Sequence, residues 1–223
     1  MTLHTLSHYS PPPDRGLSVI YADDCLVVLD KPSGLLSVPG RGEDRADCLA
    51  SRAQARFADA LIVHRLDMST SGLIVMGRGP QWQRALSVAF QDRQVHKRYQ
   101  AVVAGLLSPE SGVVDLPLLT DWPNRPRQKV DHELGKRAQT RYRLLAHDVA
   151  ASTSRVELEP ITGRTHQLRV HMQQLGHPIL GDDLYADEAA CRQAPRLLLH
   201  ACLLELAHPR SGERLVLQSP VPF

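Results

Sequence analysis

His64-Arg65-Leu66-Asp67-Met68-Ser69-Thr70-Ser71-Gly72-Leu73 sets a carboxylate at the mouth of a polar, turn-prone run. Apolar stretches flank it, Leu61-Ile62-Val63 before and Leu73-Ile74-Val75-Met76 after. Short apolar runs bounded by turn residues read as buried strands, so Asp67 is expected on a loop held at both ends by a sheet. Such a place suits a reactive group, because the strands fix the carboxylate while the loop admits a substrate. Aspartates in turns also commonly make Asx-turns or cap the following segment. The run by itself does not separate these two readings.

Upstream, Leu17 to Leu29 reads as strand broken by a turn at Ala22-Asp23-Asp24, and Lys31-Pro32-Ser33-Gly34 is a turn by its proline and glycine. Asp47 is placed to cap a helix running to about Ala58. Residues 1–16 are polar, include Pro11-Pro12-Pro13, and are expected to form a flexible arm. Downstream, Pro80 opens a helix reaching about Gln94, with Trp82, Ala85, Leu86, Ala89 and Phe90 at helical spacing. Strands are predicted over Tyr99 to Ala104, Val113 to Leu116, Leu197 to Leu206 and Arg214 to Leu217. Thr140 to Leu145 and Arg155 to Leu158 read as a hairpin. His166 to Leu175 is predicted helical, with Gly176 as its stop. Thr120 to Arg137, proline-bearing and without periodicity, reads as a long irregular insertion of the kind that is functional or disordered. Strands with few helices and no regular βαβ alternation predict an α+β fold with a mixed, mainly antiparallel sheet, residues 17–223 forming a single domain.

Composition narrows the class. Of 223 residues, 43% are apolar and 22% charged, as in folded globular proteins. No apolar run approaches the roughly 20 residues that span a bilayer, and the N-terminus lacks the order of a signal peptide, so a cytoplasmic protein without membrane contact is expected. Cys25, Cys48, Cys191 and Cys202 are scattered, which argues against a disulfide framework and a structural zinc site. The net charge of +2 does not announce a nucleic-acid partner. Its distribution says more: Arg125, Arg127, Lys129, Lys136, Arg137, Arg141 and Arg143 face only Asp121, Asp131 and Glu133 between Leu119 and Arg143. A local excess of this kind binds phosphates or forms a solvated loop.

Several ordered motifs decide between the readings of Asp67. The run at 64–73 resembles the signature of the RluA family of pseudouridine synthases. Lys31-Pro32-Ser33-Gly34 with Leu35-Leu36-Ser37-Val38-Pro39-Gly40 resembles that family's N-terminal motif, and Lys97-Arg98-Tyr99 its tyrosine-bearing strand. Ile161-Thr162-Gly163-Arg164-Thr165-His166-Gln167-Leu168-Arg169-Val170-His171 is similar to its arginine-bearing helix, followed by Gly176-His177-Pro178-Ile179-Leu180-Gly181-Asp182. Arg196-Leu197-Leu198-Leu199-His200-Ala201 is similar to its closing strand. The likeness runs from about Val19 onward. Asp121-Trp122-Pro123-Asn124-Arg125-Pro126 and Ser37-Val38-Pro39-Gly40-Arg41 further resemble a subgroup that has no separate N-terminal RNA-binding domain. That subgroup acts on a hairpin loop of 23S rRNA and on the tRNA anticodon stem-loop.

The resemblance implies the pseudouridine synthase fold, with flanking helices and a central catalytic cleft, and an isomerase acting on structured RNA; for a chain of this size a monomer is the default expectation. The reaction breaks the bond from uracil N1 to ribose, turns the base and rejoins it through C5. Nothing is oxidised or hydrolysed on balance, so neither cofactor nor metal is required. Asp67 would attack the ribose C1′ or the uracil C6, or stabilise positive charge while the base is detached, and the sequence does not choose among these routes. An ionised carboxylate in a site that excludes water needs a fixed cation nearby, and the resemblance assigns this to Arg169. Tyr99 would stack beneath the uracil and help remove the C5 proton. The target base must be flipped out of its stack, at about a few kcal/mol. Arg65 would brace the vacated space, with His64, Arg164, Arg125, Lys129 and Arg41 contacting the RNA.

Other chemistries fit less well. His64-Arg65-Leu66-Asp67 echoes a kinase catalytic loop, but its aspartate is one residue late and no glycine-rich loop or D-F-G triplet exists. His166 and His171 stand five apart, roughly 140° around a helix, which does not suit a shared metal. A serine nucleophile elbow is absent. A non-catalytic RNA-binding or ribosome-assembly factor would be expected to have lost Asp67. A glycosylase would share the first bond cleavage but release free uracil.

Overall fold

The computed structural model describes residues 9–40, 42 and 45–223. Two compact units emerge, one from Met1–Lys97 with Ala201–Pro222, the other from Arg98–His200 with Phe223. The architecture is α+β, with a mixed, mostly antiparallel sheet.

In the first unit β1 (Val19–Ala22) and β2 (Leu26–Lys31) form the expected hairpin, with Val19 opposite Leu29 and Ala22 opposite Val27. Asp23 closes the turn, its Oδ1 accepting the amides of Cys25 (2.7 Å) and Leu26 (2.9 Å). β4 (Ser71–Arg78) runs beside β2 from Gly77 opposite Leu26 to Gly72 opposite Lys31, and β3 (Ala60–Ile62) pairs with its far end. Both β2 and β4 are buried on both faces, which explains their unbroken apolar runs. On one face Leu26, Val28, Leu73 and Val75 pack with Leu86 of helix α2 (Pro80–Gln91), joined by Trp82, Ala89 and Phe90. β11 (Leu199–Ala207) lies along the other side of β4 and pairs with β12 (Arg214–Gln218).

Helix α1 (Leu49–Arg56) begins differently from its sequence-based expectation. Cys48 is its N-cap, the sulfur accepting the Ser51 amide (3.4 Å) while the Ser51 hydroxyl accepts the Cys48 amide (3.0 Å). Asp47 is not the cap because its two oxygens are gripped by Arg52 Nε and Nη2, each at 2.7 Å. A bidentate, charge-assisted pair is stronger than a neutral amide contact. Of the arm expected over residues 1–16, residues 1–8 lie outside the described residues. Tyr9 is buried, donating its hydroxyl to Asp47 O (2.9 Å) and accepting the Leu36 amide (3.0 Å), and Pro12 O accepts Arg52 Nη2 (2.7 Å).

In the second unit the strand order is β5 (His96–Ala104), β10 (Thr153–Pro160), β9 (Gln139–Asp148), β6 (Ser111–Asp115). Helix α3 (Gln167–Gln174) lays Leu168 and Met172 on a core of Ala101, Val103, Val156, Leu158 and Ile179. Gly176 ends it in the left-handed region, φ +81°, as its position predicts. A short helix α4 (Glu188–Arg192) follows, capped by Asp187. The stretch read as irregular carries order of its own: β7 (Leu118–Thr120) and β8 (Gln128–Val130) form a separate two-stranded hairpin around a 3-10 turn, Trp122–Asn124. Three-residue strands are too short to leave a periodic trace in sequence, so the prolines dominated the reading.

Candidate active site

Asp67 stands in the loop between β3 and β4, and residues 31–37 grip that loop by its backbone. The fully buried ammonium of Lys31 donates to Leu35 O (2.7 Å), Pro32 O (3.0 Å) and Met68 O (3.1 Å). Ser33 donates its hydroxyl to Ser69 O (2.6 Å), and the Gly34 amide donates to Met68 O (2.8 Å). The Ser37 hydroxyl donates to Leu66 O (2.7 Å) and accepts the Leu66 amide (3.1 Å). Backbone atoms on both sides of Asp67 are thus fixed, and the Thr70 amide closes a turn on Asp67 O (3.1 Å). A non-repetitive loop can be buried only if its carbonyls find donors, and here the turn Lys31-Pro32-Ser33-Gly34 supplies them. That is the physical content of the N-terminal motif.

Gly72 meets β4's first constraint. Its φ is +112°, and a Cβ there would lie 2.3 Å from Ala201 O. Only glycine allows β4 to start this close to the backbone of β11 directly after the loop.

Arg65 is exposed, beside buried Leu66. His64 is placed differently from a surface contact. It is half-buried, stacked on Phe90 with ring centroids 4.4 Å apart, and its Nε2 accepts the Val75 amide (3.1 Å). Burial, with the Lys97 ammonium nearby, lowers its pKa from 6.5 to about 3. The unfolded chain therefore takes up a proton near pH 6.5 that the folded chain refuses until about pH 3. This contribution to stability is complete above pH 6.5 and is lost as the pH falls towards 3, by up to about 1.4 kcal/mol per pH unit. Buried His171 acts in the same direction. His64→Gln keeps an acceptor for Val75 but cannot titrate. Urea unfolding between pH 7.5 and about pH 4.5 should lose stability less steeply in this variant than in the parent, and parallel curves would refute the assignment.

Tyr99, Arg169, Arg164, Arg125 and Lys129 belong to the second unit. Tyr99 is half-buried on β5, opposite Leu158, and packs against the unit's core. Arg169 is 2% exposed, and Asp182 holds it in a two-point fork: Nε to Oδ2 at 2.8 Å, Nη2 to Oδ1 at 2.6 Å. Asp183 Oδ1 adds a contact at 3.2 Å. Asp182 Oδ1 also accepts the amides of Leu184 (2.9 Å) and Tyr185 (3.0 Å), so the carboxylate is itself anchored. The guanidinium carbon lies 5.2 Å from the Tyr185 ring centre, and Tyr185 Oη meets His166 Nδ1 (2.7 Å) and accepts the Gln128 amide (2.8 Å). These contacts bind α3, the β7–β8 hairpin and the Asp182 turn into one assembly. Exposed Arg164 donates Nε to Arg137 O (3.1 Å). Arg125 lies over the Trp122 ring at 4.4 Å, and Lys129 pairs with Asp131 at 3.4 Å. Arg41 lies outside the described residues.

Lys31 and Asp182 hold candidate site residues in place, a role for which the sequence did not single them out. Each carried a signal: a lone cation ending an apolar strand, and an acid closing an apolar Pro-Ile-Leu-Gly run. Elsewhere Asp23, Cys25 and His208 bring donor atoms within 4.8 Å of one another. The Asp23 carboxylate is filled by protein donors there, Tyr21 Oη (2.7 Å) and His208 Nε2 (2.8 Å) on Oδ2 and two amides on Oδ1. These hydrogen bonds outweigh burial and bring its pKa down to about 2, which marks a structural knot.

The model of the family described as RNA pseudouridylate synthase matches residues 25–174. The chain belongs to this family. It is 51% identical over 218 residues to the dual-specificity RNA pseudouridine synthase RluA of Escherichia coli O6:H1, covering 98% of this chain and 99% of that protein. To the protein of the same description from Vibrio cholerae serotype O1 it is 49% identical, covering 98% and 88%. Human RNA pseudouridylate synthase domain containing 1 superposes with a TM-score of 0.80 at 27% identity, over 96% of this chain and 87% of that one. Human RNA pseudouridylate synthase domain containing 4 gives 0.72 at 28% identity, over 92% and 88%. Family membership makes the chain an isomerase acting on RNA, as its motifs imply. Among the described residues no helix is long and apolar enough to cross a membrane.

Proposed function

We propose that the chain is a dual-specificity synthase that converts uridine to pseudouridine in a 23S rRNA hairpin loop and in the tRNA anticodon stem-loop. Residues 17–223 act as one catalytic domain of a cytoplasmic monomer, without cofactor or metal. The observation that carries the mechanism is the backbone grip on the Asp67 loop from Lys31, Ser33 and Ser37. It presents one carboxylate from a loop that cannot drift, which is what a reaction dependent on positioning requires.

In the proposed reaction the target uridine leaves its stack and Arg65, exposed beside the catalytic loop, occupies the gap. Tyr99 lies under the uracil. Asp67 acts at C1′ or C6 as the N1–C1′ bond breaks, the base turns, and C5 bonds to C1′. The C5 proton is lost with help from Tyr99, and N1 gains one. Arg169, its plane set by the Asp182 fork, holds the charge of Asp67. Arg164, Arg125, Lys129 and Arg41 contact the RNA backbone, and His64 braces β4 through the Val75 amide and the Phe90 ring.

Transcribed anticodon stem-loop and 23S hairpin carrying tritium at uracil C5 provide the test. Purified protein without added metal should release tritium to water from both RNAs, with no free uracil formed. Release from one RNA alone would remove the dual specificity. Failure with both RNAs and with total cellular RNA would leave a binding protein without catalysis, and free uracil would indicate a glycosylase.

A further inference from the structure

The tip of the β7–β8 hairpin exposes an indole on a locked turn. The Asn124 amide donates to Asp121 O (3.0 Å), Asn124 Nδ2 to Asp121 Oδ2 (2.9 Å), the Asp121 amide to Arg127 O (3.0 Å), and the Arg127 amide to Asn124 O (3.0 Å). The base of the hairpin is anchored as well, through buried Leu118 against Val170 and Ala138 and through the Gln128 amide on Tyr185 Oη. Trp122 is nonetheless 65% exposed. Its contact at the tip is the Arg125 guanidinium, 4.4 Å from the ring centre.

A large aromatic surface left in water on a rigid turn contributes little to the fold, and exposed aromatics beside arginine are characteristic of binding surfaces. The surroundings specify the partner. Arg125, against the indole, and Arg127 and Lys129 further along the same hairpin are exposed. Arg127 and Lys129 also line, with Gln173 and Gln174 of α3, a groove of about 420 Å³ at the side of the hairpin. Cations that follow a backbone, next to a flat π-surface, form the usual combination for unpaired nucleotides, whose bases stack on aromatic and guanidinium planes while the phosphates meet the cations.

We propose that Trp122 is a stacking platform for an unpaired base of the RNA substrate other than the target uridine, with Arg125 closing the stack and Arg127 and Lys129 taking the adjoining phosphates. The proposal rests on RNA being the substrate. It adds a recognition contact outside the residues placed at the reacting base. Because every base has a π-face, the contact reads an extruded loop nucleotide by shape, with little preference among the four bases.

Two measurements test it on the full chain. In tritium release from the anticodon stem-loop and the 23S hairpin, Trp122→Ala should raise KM about 5- to 100-fold at nearly unchanged kcat, and Trp122→Phe should restore most of the loss. The protein has two tryptophans, so Trp82→Phe leaves Trp122 as the sole indole reporter. Either RNA should quench its fluorescence, and this quenching should be missing in Trp122→Phe, where Trp82 alone reports. An unchanged KM in Trp122→Ala, or a loss confined to kcat, would overturn the platform, as would the absence of quenching under saturating RNA. Quenching specific to Trp122 in a protein that releases no tritium would uphold the platform and count against the isomerase reading instead.

Discussion

Asp67→Asn is expected to lower tritium release from either RNA by at least about 10⁴-fold while leaving RNA binding within a few-fold of the parent. Asparagine matches the carboxylate in shape but carries no charge and is a poor nucleophile, so both proposed routes lose their agent, at C1′ and at C6 alike. Removing the reacting group of a constellation typically costs this much or more, equivalent to about 5.5 kcal/mol of transition-state stabilisation. The loop should survive the change. Its backbone is held by Lys31, Ser33 and Ser37 bonding to Leu66, Met68 and Ser69, contacts that the substitution leaves in place. Single-turnover tritium release and a binding isotherm on the same RNA would separate chemistry from recognition. Activity above about one part in a hundred would show that Asp67 is not the reacting carboxylate.

Asp182→Asn should destabilise the protein by about 3–5 kcal/mol, the largest stability effect expected from an isosteric change in this chain. Arg169 and Asp182 are 2% and 1% exposed, and their two-point contact compensates a guanidinium with almost no access to water. An amide replaces one oxygen by a donor that faces another donor, and it removes the compensating charge. Asp183 cannot take over, because it touches only Nη2, at 3.2 Å, and its side chain is 57% exposed to screening solvent. Urea denaturation measures the loss. A paired change, Arg169→Leu with Asp182→Leu, removes both charges together and should recover part of the stability, short of the parent by the Leu184 and Tyr185 amides that lose their acceptor, but none of the activity. If Asp182→Asn costs less than about 1 kcal/mol, the fork is not what holds Arg169.

The Asp67 loop and the mainly antiparallel framework were legible because their signals are local. Asp67 lies within a contiguous run, the hairpin of β1 and β2 announces itself through Asp23, and Gly176 marks the end of α3. What escaped depends on partners distant in sequence or on competition between neighbours. Lys31 reads as an ordinary charged residue until its ammonium is seen to meet a carbonyl 37 positions on. Asp182 reads as a loop acid until Arg169 turns towards it. Asp47 is a better capping residue than Cys48 by preference, yet Arg52 claims it. His64 looked like an RNA contact from its place in the motif, while the fold commits its Nε2 to Val75 and its face to Phe90. The Trp122 turn was hidden among prolines in a segment without periodicity.

The division of the chain bears on the order in which the protein can be made. Arg98–His200 is a continuous stretch, whereas the unit carrying Asp67 is assembled from Met1–Lys97 and the later Ala201–Pro222. β4, which begins at Gly72 just beyond the Asp67 loop, needs β11 along its side, and that strand is synthesised long after it. The stretch Arg98–His200 can therefore settle during synthesis, while Met1–Lys97 waits for Ala201–Pro222 to arrive. A nascent chain still short of Leu199 carries Asp67, Tyr99 and Arg169 but no completed frame around its aspartate, so competence to modify RNA waits until β11 has been made.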